Sequence, residues 1–262
     1  MEAIEQEVGG FGILTLATPK DYLKAIGLAL SLRVSNPGVK TAVACKSSLF
    51  PILDPYFDYL VEEQEGIKGF AHKVYLDKYS PFETTVFFDS DVLVFKPISD
   101  FIYSWPDQSY VACGEYRTGV VSSFGLDRAK VMARLGINRI ICIDGAGHAL
   151  FRKPGCISVF ERAREITANY ELYGYGARYA DEDVLNMVLA ERDWLPAPYG
   201  DFFSRHCTAR PGSLEIDASR GLCRFIDNVD GRTVEACMMH FAADEAPICY
   251  TKQLWILFGF FN

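Results

Sequence analysis

Short apolar runs alternate along the chain with segments of helical period, and the first pair sets the pattern. The run "FGILTLA" at 11–17 is short and almost wholly apolar, which predicts a buried strand. Thr18-Pro19 follows, a combination suited to a helix N-cap with proline in the first turn. Over 21–34, Tyr22, Ala25, Ile26, Ala29, Leu30 and Arg33 fall along one helical face. Asn36-Pro37-Gly38 then stops the helix, and 40–45 reads as a second strand. Further helical stretches are expected at 53–62 and 72–79, ahead of an apolar strand that carries "VFFDSDVLVF" at 86–95. Beyond Pro97 the pattern predicts strands at 110–114, 139–143, 149–152 and 235–241, and helices at 127–135, 157–170 and 182–192. A loop rich in Gly and Ser spans 114–125.

Strand, helix, strand with short connections begins a doubly wound sheet, and such sheets bind ligands at the carboxyl ends of their strands. The expected class is α/β, a single Rossmann-like mixed sheet flanked by helices. No repeat or linker interrupts it, so one domain is expected over 1–262, with a flexible N-terminus at 1–10 and an apolar C-terminal extension at 248–262.

Half of the residues are hydrophobic, enough for a large core, and the formal net charge of −8 argues against an electrostatic nucleic-acid footprint. The opening "MEAIEQEVGG" lacks the basic start and apolar stretch of a secretory signal, which points to a cytoplasmic protein. None of the eight cysteines forms a C-x-x-C pair and several lie in apolar runs, so reduced buried thiols are expected. No apolar run reaches the roughly 18 residues that cross a bilayer. "LWILFGFF" at 254–261 comes nearest, and reads either as a segment packed on the core or as an exposed aromatic patch.

The pair Asp89 and Asp91 interrupts the apolar strand. Residues two apart in a strand share a face, so both carboxylates can converge once the chain leaves the core. Two hard oxygen donors suit Mg²⁺ or Mn²⁺, which complete their shells with water and substrate phosphates. Such a cation would bridge an acidic protein to an anionic diphosphate. A bland alternative is a turn in which Asp merely ends the strand. A haloacid dehalogenase-like phosphotransferase also starts from an apolar run and D-x-D, but there it follows the first strand, whereas here almost ninety residues precede it. A nucleotidyltransferase would carry a basic Gly-rich loop after its first strand, and "ATPKDY" is not one.

Four stretches together, "LATPKDYLKAIGLALSL", "HKVYLDKYSPFETTVFFDSDVLVFKPI", "YADEDVLNMVL" and "MMHFAADEAP", resemble nucleotide-sugar glycosyltransferases of the A-type fold. The likeness is to family 8, the glycogenin and lipopolysaccharide galactosyltransferase group. The resemblance implies a metal site at Asp89, Asp91 and His240. It implies a nucleoside pocket lined by Ala17 and Thr18, with Tyr22 stacking on the base, and donor contacts from Lys73 and Ser90. It also implies an acidic patch at a helix N-terminus, where Asp181 and Glu182 meet sugar or acceptor, and a sugar-binding turn near Asp144 and His148. The family's lysine after the metal histidine is replaced by Ala246, with Lys252 a substitute candidate.

The activity so implied is transfer of a sugar from a nucleoside diphosphate sugar, UDP by family default, to a hydroxyl with retention. Mn²⁺ or Mg²⁺ would be the cofactor, and a glycan, a lipid-linked sugar or a protein the acceptor. The alternative is a noncatalytic nucleotide-sugar-binding protein of the same fold. Homo-oligomer formation stays open.

Overall fold

The computed structural model describes residues 10–118, 121–143, 147–241 and 248–260. The expected flexibility of the first ten residues, and the positions Asp144 and Ala246, therefore lie outside the described residues, Gly10 excepted. The strands are β1 (Phe11–Leu16), β2 (Lys40–Cys45), β3 (Tyr59–Glu62), β4 (Thr84–Phe88), β5 (Val92–Val94), β6 (Tyr110–Val111), β7 (Gly114–Arg117), β8 (Ile140–Ile143), β9 (His148–Arg152), β10 (Phe203–Arg205), β11 (Glu215–Asp217), β12 (Leu222–Ile226), β13 (Thr233–Glu235) and β14 (Met238–His240). The principal sheet is mixed, in the order β3-β2-β1-β4-β9-β6, and helices accompany it, so the class is α/β.

By contact density the chain groups into two compact units. One comprises Met1–Gly10, Glu63–Val86 and Trp105–Pro198, the other Phe11–Glu62, Phe87–Ser104 and Tyr199–Asn262.

In the second unit β1, β2 and β3 run parallel, with Ile13 opposite Thr41 and Val43 opposite Leu60. The helix Tyr22–Ser35 connects the first two. It is buried on more than the single face expected: Gly27, Leu28, Ser31 and Leu32 are enclosed as well, while Arg33 faces solvent. The cause is packing on several sides, against β5 and against the C-terminal helix Ile248–Leu257. Gly27 makes the latter approach possible, because a Cβ there would sit 2.2 Å from Leu254 Cδ2. Ser31 Oγ, enclosed at that packing face, accepts the Val94 N–H at 3.1 Å.

Three expectations are corrected in this unit. The helix starts at Tyr22, not at Thr18-Pro19; the Asp21 carboxylate accepts the Thr18 N–H and ties the turn between them. Beyond Leu53, the last residue of the short helix Phe50–Leu53, the stretch 53–62 is not helical. Leu53, Tyr56, Phe57 and Leu60 mimic helical spacing, but Pro55 removes a donor and Tyr59–Glu62 gains a parallel ladder with β2.

The apolar run expected as one strand over 235–241 is also divided. Thr233–Glu235 pairs with β12 in a small antiparallel meander, and Met238–His240 pairs with β10 and β5. Of the two readings offered for 254–261, the described residues show both: Leu254 and Leu257 pack against the core, whereas Trp255 and Phe260 are exposed. Gln253 ties the C-terminal helix down by accepting from Ala218 N at 2.8 Å and donating to Ile216 O at 2.9 Å.

In the first unit β6 pairs antiparallel with β9, and β7 with β8. The helices Ile157–Ala168 and Asp181–Glu191 pack on one another, and Asp181–Glu191 also lies against β8. Arg162 joins them by a bidentate pair to Glu191 at 2.9 and 2.7 Å.

None of the eight cysteines is in a disulfide, and six of them are buried. Burial pushes the thiol of Cys156 up to about 11 and those of Cys223 and Cys237 up to about 12, so these three are inert. No helix among the described residues is long and apolar enough to cross a membrane.

Candidate functional site

Strand register builds the acidic cluster. β4 delivers Phe87 and Phe88 into the core, and the chain turns at Asp89 to Asp91, with Val92 N donating to Asp89 O at 3.2 Å. It re-enters as the buried strand β5. β14 runs antiparallel to β5 with His240 opposite Val92, and the ladder extends by Phe241 N to Asp91 O at 3.1 Å. That register sets the imidazole beside the carboxylates: His240 Nε2 lies 3.0 Å from Asp91 Oδ1 and 3.9 Å from Asp89 Oδ2. One ligand atom from each residue lies within 4.8 Å of the other two. Among the described residues no other trio of His, Cys, Asp or Glu has this property.

The donor set of two carboxylates and one imidazole fits Mn²⁺ or Mg²⁺, hard cations that keep open positions for water and phosphate oxygens. Only one imidazole nitrogen faces the carboxylates. His240 Nδ1 is buried without a partner among the described residues, and the ring lies 6.4 Å from that of Phe203. Ser90, between the two acids, is half-buried.

In the same unit the segment after β1 carries the expected nucleoside residues. Ala17 is buried and its N–H donates to Ala44 O at 3.0 Å, prolonging the parallel ladder beyond the strand. Thr18 is exposed, its carbonyl accepting from Tyr22 N at 3.0 Å. The Tyr22 ring packs half-buried against the cluster of Ala17, Ala25, Ile26 and Val43.

The other expected polar residues lie in the first unit. Lys73, in the 3₁₀ segment Gly69–Tyr75, reaches Asp181 Oδ2 at 3.3 Å. Both side chains are buried, and the contact is an ion pair whose angles miss those of a hydrogen bond. Asp181, Glu182 and Asp183 form the first turn of Asp181–Glu191, where the helix dipole favours negative charge. Asp181 and Asp183 are buried, and Glu182 is partly exposed. His148 is buried in β9 and its Nε2 accepts the Cys113 N–H at 2.9 Å, which fixes the ring in the fold.

One arrangement escaped the sequence. Asp183 accepts a hydrogen bond from Ser122 Oγ at 2.8 Å, and Asn186, one turn on, accepts the Ile143 N–H at 2.8 Å. The two side chains thus pin the Gly/Ser-rich loop and the end of β8 to one helix. Burial pushes the Asp183 carboxyl above the usual carboxylate range, opposed by the Ser122 bond and Arg128. The i, i+3 spacing of Asp183 and Asn186 was visible, but nothing local marks their partners.

No protein-family model matches the chain, and no curated relative is detected by sequence. Solved structures do match. A crystal structure of galactosyltransferase LgtC with donor and acceptor sugar analogs is 13% identical and superposes with a TM-score of 0.61 over 96% of each chain. The bifunctional glycosyltransferase WbbM is 11% identical with a TM-score of 0.60, covering 99% of this chain and 52% of its own. Mouse xyloside xylosyltransferase 1 is 12% identical with a TM-score of 0.52, over 92% of this chain and 100% of its own. The chain has the A-type glycosyltransferase fold that its sequence resembles.

Proposed function

We propose that the protein transfers a sugar from a nucleoside diphosphate sugar, with UDP as the carrier, to an acceptor hydroxyl with retention of configuration. The observation that carries this reading is the convergence of Asp89, Asp91 and His240 at a strand end of this fold. The three residues would hold Mn²⁺ or Mg²⁺, which as a Lewis acid offsets the negative charge that builds on a departing diphosphate. The carboxylates and the imidazole set the cation's position through the turn and register that fix them.

Ala17 and Thr18 line the nucleoside site in this reading, with the Tyr22 ring beside it and Ser90 near the diphosphate. Lys73, held by Asp181, orients the donor. Glu182, partly exposed in the first turn of its helix, faces sugar or acceptor. Asp144 belongs to the same proposed set by resemblance. The acceptor is a glycan, a lipid-linked sugar or a protein hydroxyl.

The test is calorimetric titration of UDP, GDP and their common sugar conjugates, first with Mn²⁺ and then with EDTA. Metal-dependent binding of one nucleotide, abolished in Asp89→Ala and Asp91→Ala, supports the reading. Affinity unchanged in either variant or by EDTA refutes the metal assignment.

A further inference from the structure

We propose that the Arg205 guanidinium binds the diphosphate of the donor beside the acidic cluster; the inference rests on the donor reading above. The residues concerned all belong to the second unit. β10 runs parallel to β14 with Arg205 opposite His240, and β14 runs antiparallel to β5 with His240 opposite Val92. Arg205 and His240 are thus the last residues of two neighbouring parallel strands, and both leave the sheet at the same edge.

Alternation along the strands decides which way Arg205 projects. Residues opposite each other on paired strands share a face, as do residues two apart on one strand. Two ring contacts mark the faces. Phe203 lies 6.4 Å from His240 by ring centroids, which puts Phe203 and, two residues on, Arg205 on the face of the metal histidine. His206, next in the chain, stacks on Phe241 with centroids 6.0 Å apart, and Phe241 joins Leu93 and Met239 in the apolar cluster on the opposite face. The backbone at Arg205 is still extended, with φ −106° and ψ 142°, so the alternation holds to the end of β10. Thr208 Oγ1 donates to Arg205 O at 2.8 Å and fixes the turn that follows.

Charge balance gives this position a task. Asp89, Asp91 and a divalent cation cancel one another, so the diphosphate, and the charge it gains on leaving the sugar, still lack a counterion. Arg205 is half-buried and carries the one cationic side chain on β5, β10 and β14. Its planar fork suits a pair of phosphate oxygens, and its register holds it beside the imidazole ligand. Lys252, the substitute candidate, is exposed on the helix Ile248–Leu257 and has no such register to the cluster.

The experiment compares wild type, Arg205→Gln, Arg205→Lys and Lys252→Gln by titration of UDP and GDP with Mn²⁺, with thermal unfolding of each protein in EDTA and along a Mn²⁺ series. For Arg205→Gln we expect about tenfold weaker nucleotide binding, consistent with loss of a charge-assisted hydrogen bond. Its Mn²⁺ response should be no smaller than that of wild type, since removing a neighbouring positive charge does not weaken a cation site. Arg205→Lys keeps the charge without the fork and should fall between the two; it carries the comparison if the neutral variant does not fold. Lys252→Gln binds as wild type. Nucleotide affinity equal to that of wild type in Arg205→Gln, or in Arg205→Lys where the neutral variant does not fold, overturns the inference and leaves sugar transfer standing. Loss of the Mn²⁺ response in Arg205→Gln assigns the residue to the shape of the cluster and also overturns it. If wild type binds neither nucleotide, the donor reading fails and the inference falls with it.

Discussion

Replacing Asp89 with Asn should change stability in opposite directions with and without metal. In the free protein the carboxylate oxygens of Asp89 and Asp91 lie within 4.8 Å of one another. At that separation, and with an effective dielectric of about 20, two unit charges repel by roughly 3.5 kcal/mol. The side chains are 20% and 16% exposed, and the unfolded chain keeps them two residues apart, so solvent and the reference state remove much of that figure. A net strain of about 1–2 kcal/mol remains as an order-of-magnitude value. For a chain of this size it corresponds to a melting temperature higher by roughly 3–6 °C in the variant.

The comparison is made in EDTA at one fixed pH for both proteins. Mn²⁺ should then reverse the order. A ligand present at one hundred times its dissociation constant stabilises wild type by about 2.7 kcal/mol, whereas Asp89→Asn has lost a charged donor and should respond little. The assay is thermal unfolding of both proteins in EDTA and along a Mn²⁺ series. A variant that is less stable than wild type in EDTA refutes the idea of a strained acidic pair. A variant that keeps the full Mn²⁺ response refutes metal binding by Asp89.

Asp183→Asn tests the buried carboxyl. Its folded pKa is raised, so the native state keeps a proton that the unfolded chain has released, and stability falls as pH rises from about 4 through the raised value. The variant should show a flatter pH dependence in urea unfolding as pH rises from about 4, and an unchanged slope refutes the assignment. Gly27→Ala should cost about 1–3 kcal/mol by forcing Leu254 Cδ2 from a contact of 2.2 Å, with Leu254→Ala recovering part of the loss in the double variant. Lys73→Met removes the ion-pair partner of the buried Asp181 carboxyl, and should destabilise by about 3 kcal/mol in chemical unfolding, more than Lys73→Met with Asp181→Leu.

The acids were legible because their chemistry breaks a strong local pattern. A run such as "VFFDSDVLVF" leaves few reasons for two carboxylates, and the strand period alone puts them on one face. His240 was legible only through its order in the chain, since one histidine in an apolar run has no local signature. What brings it to Asp91 is the antiparallel register of β14 on β5, and register depends on partners far apart in sequence. The same dependence explains the failure over 53–62, where helical spacing was real but pairing with β2 outweighed it. It also explains why 235–241 was read as one strand: a continuous apolar run serves the meander with its first part and the cluster with its last. The Ser122–Asp183 and Asn186–Ile143 bonds are long-range in the same sense. Local pattern therefore names residue types suited to chemistry, while long-range pairing decides which of them meet. The cluster joins two members from the local pattern and one from long-range pairing, so a change that shifts the β14 register should impair metal binding even with all three residues intact.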